Sequence, residues 1–326
     1  MHKTDIEWAD YTWNPLTGCL HKCAYCYAER LTKRFSGDIR VNLTVKEPEQ
    51  FKGVYILNEP FRGSNGQLNN FPYGFLPTYH KYRLKWLDEL NMGANIFVGS
   101  MADVFGEWVP EEIIKEIFDT CKKHPQHNYL FLTKNPKRYI ELAKLGLLPE
   151  DKNMWYGTSV PTQETQYFFS DKHNCFISIE PLLAEFDTGT IDKNVDWVII
   201  GAETGQRKAK VIPKKEWVDY IVAECDSKEI PVFMKDSLIS IVGEENMRTD
   251  CPPGIANVRP AKELQSRRYD ECFYCKKQQL MTNMVCLMYK RKRRGPQKKL
   301  CYVCEDCFKE EFGGVESEET QLQNDK

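Results

Sequence analysis

At 326 residues, with 41% hydrophobic, 12% aromatic and 28% charged side chains, the chain has a globular composition able to bury a sizeable core, which excludes wholesale disorder. Lys and Arg total 45 against 47 Asp and Glu, a formal charge of −2, so the overall field gives no reason to expect nucleic-acid or membrane affinity. No apolar run approaches the ~20 residues that cross a bilayer, and Met1-His2-Lys3-Thr4-Asp5 does not lead into a signal-peptide core, so the expectation is a cytoplasmic protein with no membrane partner.

Short apolar or β-branched runs recur with helical stretches between them, the pattern of a βα-repeating fold around a parallel sheet. The expected strands are Ile6–Trp8, Leu43–Val45, Ile96–Gly99, Tyr129–Leu132, Trp155–Gly157, Phe176–Ile179, Trp197–Ile200 and Val232–Met234. The expected helices are Tyr27–Phe35, Lys81–Leu90, Glu111–Lys123, Pro136–Leu145, Gln163–Lys172 and Lys214–Lys228. The helix from Glu111 follows Pro110 and runs from acids to lysines, the polarity that the helix dipole favours. Such a count predicts an α/β fold, a partial or complete (β/α) barrel of six to eight strands over residues 1–262, with a doubly wound sheet as competitor. Gly53–Tyr79, rich in Gly, Asn, Pro and aromatics, is expected to be a long inserted loop. A small Cys-rich module is expected over 266–314 and a disordered acidic tail over 315–326.

The sequence holds 13 cysteines, which in a reducing compartment are more often metal ligands than disulfides. Cys121, Cys175, Cys225 and Cys251 are scattered singly and read as ordinary small core side chains. Cys19, Cys23 and Cys26 form C-x3-C-x2-C with Tyr25 before the last cysteine, ahead of a helix signal. Iron–sulfur clusters are normally held by four cysteines, so a local set of three leaves one iron open to a ligand. Zinc would want a fourth ligand, which His21, inside the same short loop, is poorly placed to supply.

This cysteine run resembles the signature of the radical S-adenosylmethionine (SAM) superfamily. The resemblance implies a [4Fe–4S] cluster on Cys19, Cys23 and Cys26, SAM chelated at the open iron, Tyr25 near the adenine, and reductive cleavage of SAM to a 5′-deoxyadenosyl radical. It also implies an electron donor such as flavodoxin or ferredoxin. A narrower resemblance rests on Asp5-Ile6-Glu7-Trp8, Thr12–Cys19, Ser100–Phe105, Leu132–Pro136, Gly157–Val160, Ile179–Leu183 and Gly201–Gly205, which are similar to successive blocks of a phage-associated, radical-SAM-like family of unestablished substrate.

In a parallel βα barrel the chemistry sits at the C-terminal strand ends. Ser100, Asp103, Ser159, Glu180 and Glu203 are there the candidate SAM contacts, with Glu180 and Glu203 suited to the ribose or ammonium. Lys134 and Lys235 are the candidate catalytic residues, able to tune proton transfer if burial lowers their pKa. The alternative is structural pairing, Lys134 with Glu180 or Lys235 with Glu203.

Near the C-terminus, Cys272/Cys275 and Cys304/Cys307 form two CxxC knuckles, a tetrahedral zinc pattern with Cys301 able to replace Cys307, or an auxiliary iron–sulfur site. Seven of the ten residues from Lys290 to Lys299 are basic, a candidate nucleic-acid contact. The expected function is a radical SAM enzyme acting on a nucleic acid or nucleotide. The rival is a non-enzymatic, zinc-dependent nucleic-acid-binding protein on a barrel scaffold, with zinc on the N-terminal cysteines.

Overall fold

The computed structural model describes residues 2–45, 48–204 and 209–256, together with the backbones of 269–271, 278–280, 284–290 and 298–304. It divides into a unit spanning Met1–Arg259 and a second spanning Pro260–Lys326.

The larger unit is built on an eight-stranded sheet. An antiparallel edge strand β1 (His2–Lys3) is followed by seven parallel strands, β2 (Tyr11–Trp13), β3 (Asn95–Val98), β4 (Asn128–Thr133), β5 (Met154–Ser159), β6 (Asn174–Ile179), β7 (Trp197–Ile200) and β8 (Val232–Met234). Each pairs with the next in chain order and the sheet curls into a half-barrel. The main helices are α1 (Tyr27–Phe35), α2 (Glu111–Lys122), α3 (Pro136–Lys144) and α4 (Lys215–Ser227).

Near-continuous apolar strands follow from burial on both faces. Ile96, Val98, Tyr129, Phe131 and Tyr156 pack on Ile113, Ile117, Phe118 and Tyr139 of α2 and α3. Ile177, Val198, Ile200 and Val232 pack on Val218, Ile221 and Cys225 of α4. The alternate residues, Phe97, Leu130, Trp155, Phe176, Trp197 and Phe233, form an aromatic layer on the opposite face together with Trp8. Trp8 lies against Phe97 (ring centroids 4.7 Å), Phe176 (6.2 Å) and Trp197 (6.5 Å). This layer needs Gly157, because a Cβ there would stand 2.2 Å from the Phe176 ring.

Several expectations are corrected. Ile6–Trp8 is not a strand: the segment turns so that Trp8 enters the aromatic layer, and the first parallel strand is Tyr11–Trp13. Leu43–Val45 lies in a helix, Ile39–Val45, held where the Asn42 side chain donates to the carbonyls of Ser36 and Pro72. Residues 163–172 contain no helix; Phe168 is instead buried, its N–H bonded to the Thr158 hydroxyl. Lys81–Glu89 is 3-10 rather than α-helical. Gly53–Tyr79 is not simply a loop, since Val54–Leu57 and Thr78–His80 join Glu49–Phe51 and Leu16–Thr17 in a four-stranded sheet.

In the second unit, Tyr269–Glu271 pairs antiparallel with Gln278–Leu280, and Met284–Lys290 with Lys298–Cys304. The basic run therefore begins and ends on paired strands at Lys290 and Lys298. Cys272, Cys275, Cys307 and residues 291–297 lie outside the described residues. Among the described residues no helix is long and apolar enough to cross a membrane.

Candidate functional site

The period-two alternation that builds the aromatic layer continues upward. Above Phe176 on the same strand face come Ser178 and Glu180; above Trp155 come Gly157 and Ser159; above Leu130 come Leu132 and Lys134; above Phe233 comes Lys235. These residues and the cysteine loop enclose a cavity of about 690 Å³, lined by Cys19, Cys23, Cys26, Tyr25, Ser100, Asp103, Lys134, Ser159, Ser178, Glu180, Glu203 and Lys235. That volume falls in the ~300–1,000 Å³ range of small-molecule pockets.

The loop that carries the cysteines is tightly specified. Gly18 has φ +87° and a Cβ there would lie 2.3 Å from the Leu76 carbonyl oxygen. Its N–H donates to the Met101 carbonyl (2.9 Å) and the Cys19 N–H to that of Phe75 (3.1 Å). Gly18→Ala is expected to cost about 2–4 kcal/mol in chemical denaturation; an unchanged midpoint would contradict this description of the loop. Cys26 is the N-cap of α1, its Sγ accepting the Glu29 N–H at 3.4 Å, so a thiolate there sits at the positive helix end.

Burial pushes the Cys19 thiol up to about 12, with the Asp103 carboxylate and the other two cysteines adding to it and the His21 backbone N–H opposing. Cys23 is also raised, by burial first, against the lowering influence of the Lys134 ammonium. Cys26 adds to the upward shift of Cys23 as well. Among the described residues no three His, Cys, Asp or Glu side chains converge as one metal ion requires. A cluster makes a different demand, because its cysteines bind separate irons.

Asp103 lines the cavity, but its oxygens are used by the protein. One accepts the Phe105 N–H (3.0 Å) and the Thr133 hydroxyl (2.7 Å); the other accepts the Lys134 N–H (2.9 Å) and meets His21 Nε2 (2.7 Å). Asp103 thus anchors the cysteine loop to the ends of β3 and β4. His21 in turn packs edge-on to Trp108 at 4.9 Å.

Lys134 does not pair with Glu180. Its ammonium donates to Ser159 Oγ (2.7 Å) and the Tyr25 hydroxyl (3.3 Å) and lies 5.2 Å from the centre of the Tyr25 ring. Ser100 exchanges hydrogen bonds with the Asn14 side chain (3.1 and 3.2 Å), and its carbonyl accepts the Tyr27 hydroxyl (2.5 Å). Lys235 pairs with Glu180 at 2.5 Å and Glu7 at 3.5 Å, not with Glu203. Burial works to lower its pKa, but Glu180 and then Glu7 outweigh it and the net shift is upward. The expected lysine with a depressed pKa is therefore corrected: Lys235 is held as an ammonium. Glu203 is buried on the cavity wall.

The raised Lys235 value fixes a sign. Its stabilising contribution is complete below the ordinary lysine value of about 10.4 and is lost as pH rises through the higher folded value. Glu180→Gln is expected to lower stability below about pH 10 and to make the alkaline decline shallower, because the folded-state value falls back toward the unfolded one, read as denaturation midpoints across the alkaline range. An identical profile in wild type and variant would contradict the pairing.

Sequence reasoning missed Glu7, Trp8 and Ser178 as cavity residues. Ser178 was detectable as the one hydroxyl in an apolar strand, two residues before Glu180; it is buried, and among the described residues its hydroxyl has no hydrogen-bond partner, as is the case for the Trp8 indole N–H. Glu7 depends on the return of the N-terminal segment to β8, where it also accepts the Asp236 N–H at 3.3 Å, a tertiary contact with no local signal.

Fold and site define a parallel α/β half-barrel with a cysteine-bearing loop over the C-terminal strand ends. The chain belongs to the family described as a protein of unknown function (DUF5131), whose model matches residues 3–271. No curated protein matches it at a significant level. Two solved structures of spore photoproduct lyase mutants are similar to it: one with bound AdoMet and dinucleoside spore photoproduct (10% identity, TM-score 0.37) and one with the dinucleoside spore photoproduct (11%, 0.36). Each covers 96% of this chain and 73% of its own.

Proposed function

We propose that the half-barrel is a radical SAM enzyme in which Cys19, Cys23 and Cys26 hold a [4Fe–4S] cluster and the cavity beneath them receives SAM. The observation that carries this is the position of the three thiols on one cavity wall with Cys26 at a helix N-terminus, beside a pocket of ligand size. The donor set fits: three sulfurs suit a cubane with one open iron, and the charge of the cluster core offsets the burial that now raises Cys19 and Cys23. When bound, the cluster and SAM supply a 5′-deoxyadenosyl radical.

The chain's own residues do the rest. Lys134 holds the Tyr25 hydroxyl and Ser159 Oγ, which fixes the Tyr25 ring so that it can offer a flat face to an adenine. Asp103 and His21 hold the loop against the strand ends. Glu180, oriented by Lys235, and Glu203 offer carboxylate oxygens suited to a ribose diol or an ammonium. In the second unit, Cys272, Cys275, Cys304 and Cys307 are proposed as zinc ligands, and the run Lys290–Lys299 as a nucleic-acid contact. The antiparallel pairing of Met284–Lys290 with Lys298–Cys304 brings the two ends of the run, Lys290 and Lys298, opposite one another, which supports a shared basic contact.

The test is SAM turnover. Anaerobically reconstituted protein, with dithionite standing in for a flavodoxin or ferredoxin, is expected to release 5′-deoxyadenosine from SAM. Colourless protein that contains only zinc and leaves SAM intact would favour the non-enzymatic rival.

A further inference from the structure

Helix α1 is amphipathic in an unusual sense, because its larger apolar side chains face outward. Ala28 and Thr32 are its buried residues. Tyr27, Arg30, Leu31, Arg34 and Phe35 recur at i, i+3, i+4, i+7 and i+8, which places them on one face. Tyr27, Leu31 and Phe35 are 52%, 39% and 56% exposed, and both arginines are exposed. A solvated helix face normally carries polar groups, and exposed apolar area of this kind marks a contact surface.

The face starts at the cavity, which Tyr27, Arg30 and Leu31 help to line, and runs outward for about 12 Å to Phe35. It is also cationic. Lys33 is neutralised by Glu29 (2.7 Å) and Arg40 by Asp38 (3.2 Å), whereas Arg30 has no ion pair among the described residues and Arg34 lies 5.4 Å from the Phe35 ring centre. Its complement is an anionic polymer with flat apolar faces.

We propose that this face of α1 docks single-stranded DNA and leads one nucleotide toward the cavity. Arginines in a row suit consecutive phosphates, and exposed Tyr and Phe rings suit stacked bases without regard to sequence. Deoxyribose rather than ribose is favoured because the remaining donors of the face, Arg30 and Arg34, are taken up by phosphates. The Tyr27 hydroxyl is already committed to the Ser100 carbonyl, and Leu31 and Phe35 offer nothing to a 2′-hydroxyl. Docking itself needs only α1; delivery of a nucleotide for reaction rests on the radical SAM reading.

Fluorescence anisotropy of a short labelled oligodeoxythymidylate with the full-length chain tests this. Arg30→Glu with Arg34→Glu is expected to weaken binding at least about tenfold and to reduce the log–log salt slope by about 1.4. Phe35→Ala is expected to weaken it at least about fivefold. Thermal unfolding of the variants, all at exposed positions, should match wild type. The proposal is overturned if the double variant binds within about twofold of wild type, as it would if Lys290–Lys299 were the whole site. It is equally overturned if oligouridylate or poly-L-glutamate binds more tightly than the deoxy probe and shows the α1 dependence, which would make the partner RNA or an acidic protein. Protein that binds the oligonucleotide yet leaves SAM intact keeps this proposal and rejects the radical reading; protein that cleaves SAM yet ignores the oligonucleotide does the reverse.

Discussion

Cys23→Ala is expected to lose its cluster and, with it, SAM cleavage. Outer partners of metal ligands already cost ~10–100-fold when removed, so loss of a ligand should lower 5′-deoxyadenosine release by more than about a hundredfold. Iron after anaerobic reconstitution should fall in parallel. The mutated side chain is half-buried at the loop surface and makes no hydrogen bond that the fold depends on, so the variant should unfold near the wild-type temperature. Lys134→Met separates the ligand from its surroundings: it removes the cation that favours a charged Cys23 and frees Tyr25 and Ser159, while leaving all three sulfurs in place. Retention of full activity by Cys23→Ala would mean that the thiol trio is not the reactive centre.

Asp103→Ala should produce a large loss of stability in the half-barrel. The substitution strips the acceptor from the Thr133 hydroxyl and from the N–H groups of Phe105 and Lys134, all at or near the buried ends of β3 and β4. An orphaned buried donor costs about 1–3 kcal/mol, so a total of about 3–5 kcal/mol is expected in chemical denaturation. It also releases His21 and therefore the cysteine loop. Asp103→Asn keeps an acceptor oxygen and the side-chain shape, and is expected to cost less. Equal stability of Asp103→Ala and wild type would show that the carboxylate is not the anchor described above.

Six of the strands and most of the long helices were legible because their signals are local. β7 and β8 are apolar runs bounded by turns, α1 spans the predicted Tyr27–Phe35, and α2 has acids at its start and a lysine at its end. Failures came where tertiary contacts decide. Ile6–Trp8 looks like a strand because it is apolar and aromatic, yet Trp8 serves the aromatic layer and Glu7 serves Lys235. Leu43–Val45 is too short a run to separate strand from helix, and Asn42 tips it toward helix through contacts with distant carbonyls.

The site shows the same division. Strand-end position correctly brought Ser100, Asp103, Lys134, Ser159, Glu180, Glu203 and Lys235 to one cavity, because alternation along parallel strands dictates which residues face it. Pairing among them was not legible. Which carboxylate meets which lysine depends on sheet curl and side-chain reach, so Lys235 found Glu180 and Glu7, and Lys134 found Ser159 and Tyr25. The anchoring role of Asp103 was not legible either, since it rests on four hydrogen-bond partners that only the fold brings together.

Electron paramagnetic resonance of the dithionite-reduced, reconstituted protein, recorded with and without SAM and accompanied by iron and sulfide analysis, is the most direct test of the account. A site built on Cys19, Cys23 and Cys26 predicts about four irons with matching sulfide and a reduced-cluster signal whose shape changes when SAM is added. A full complement of iron with a spectrum indifferent to SAM would mean that no iron is open to it and would contradict the account.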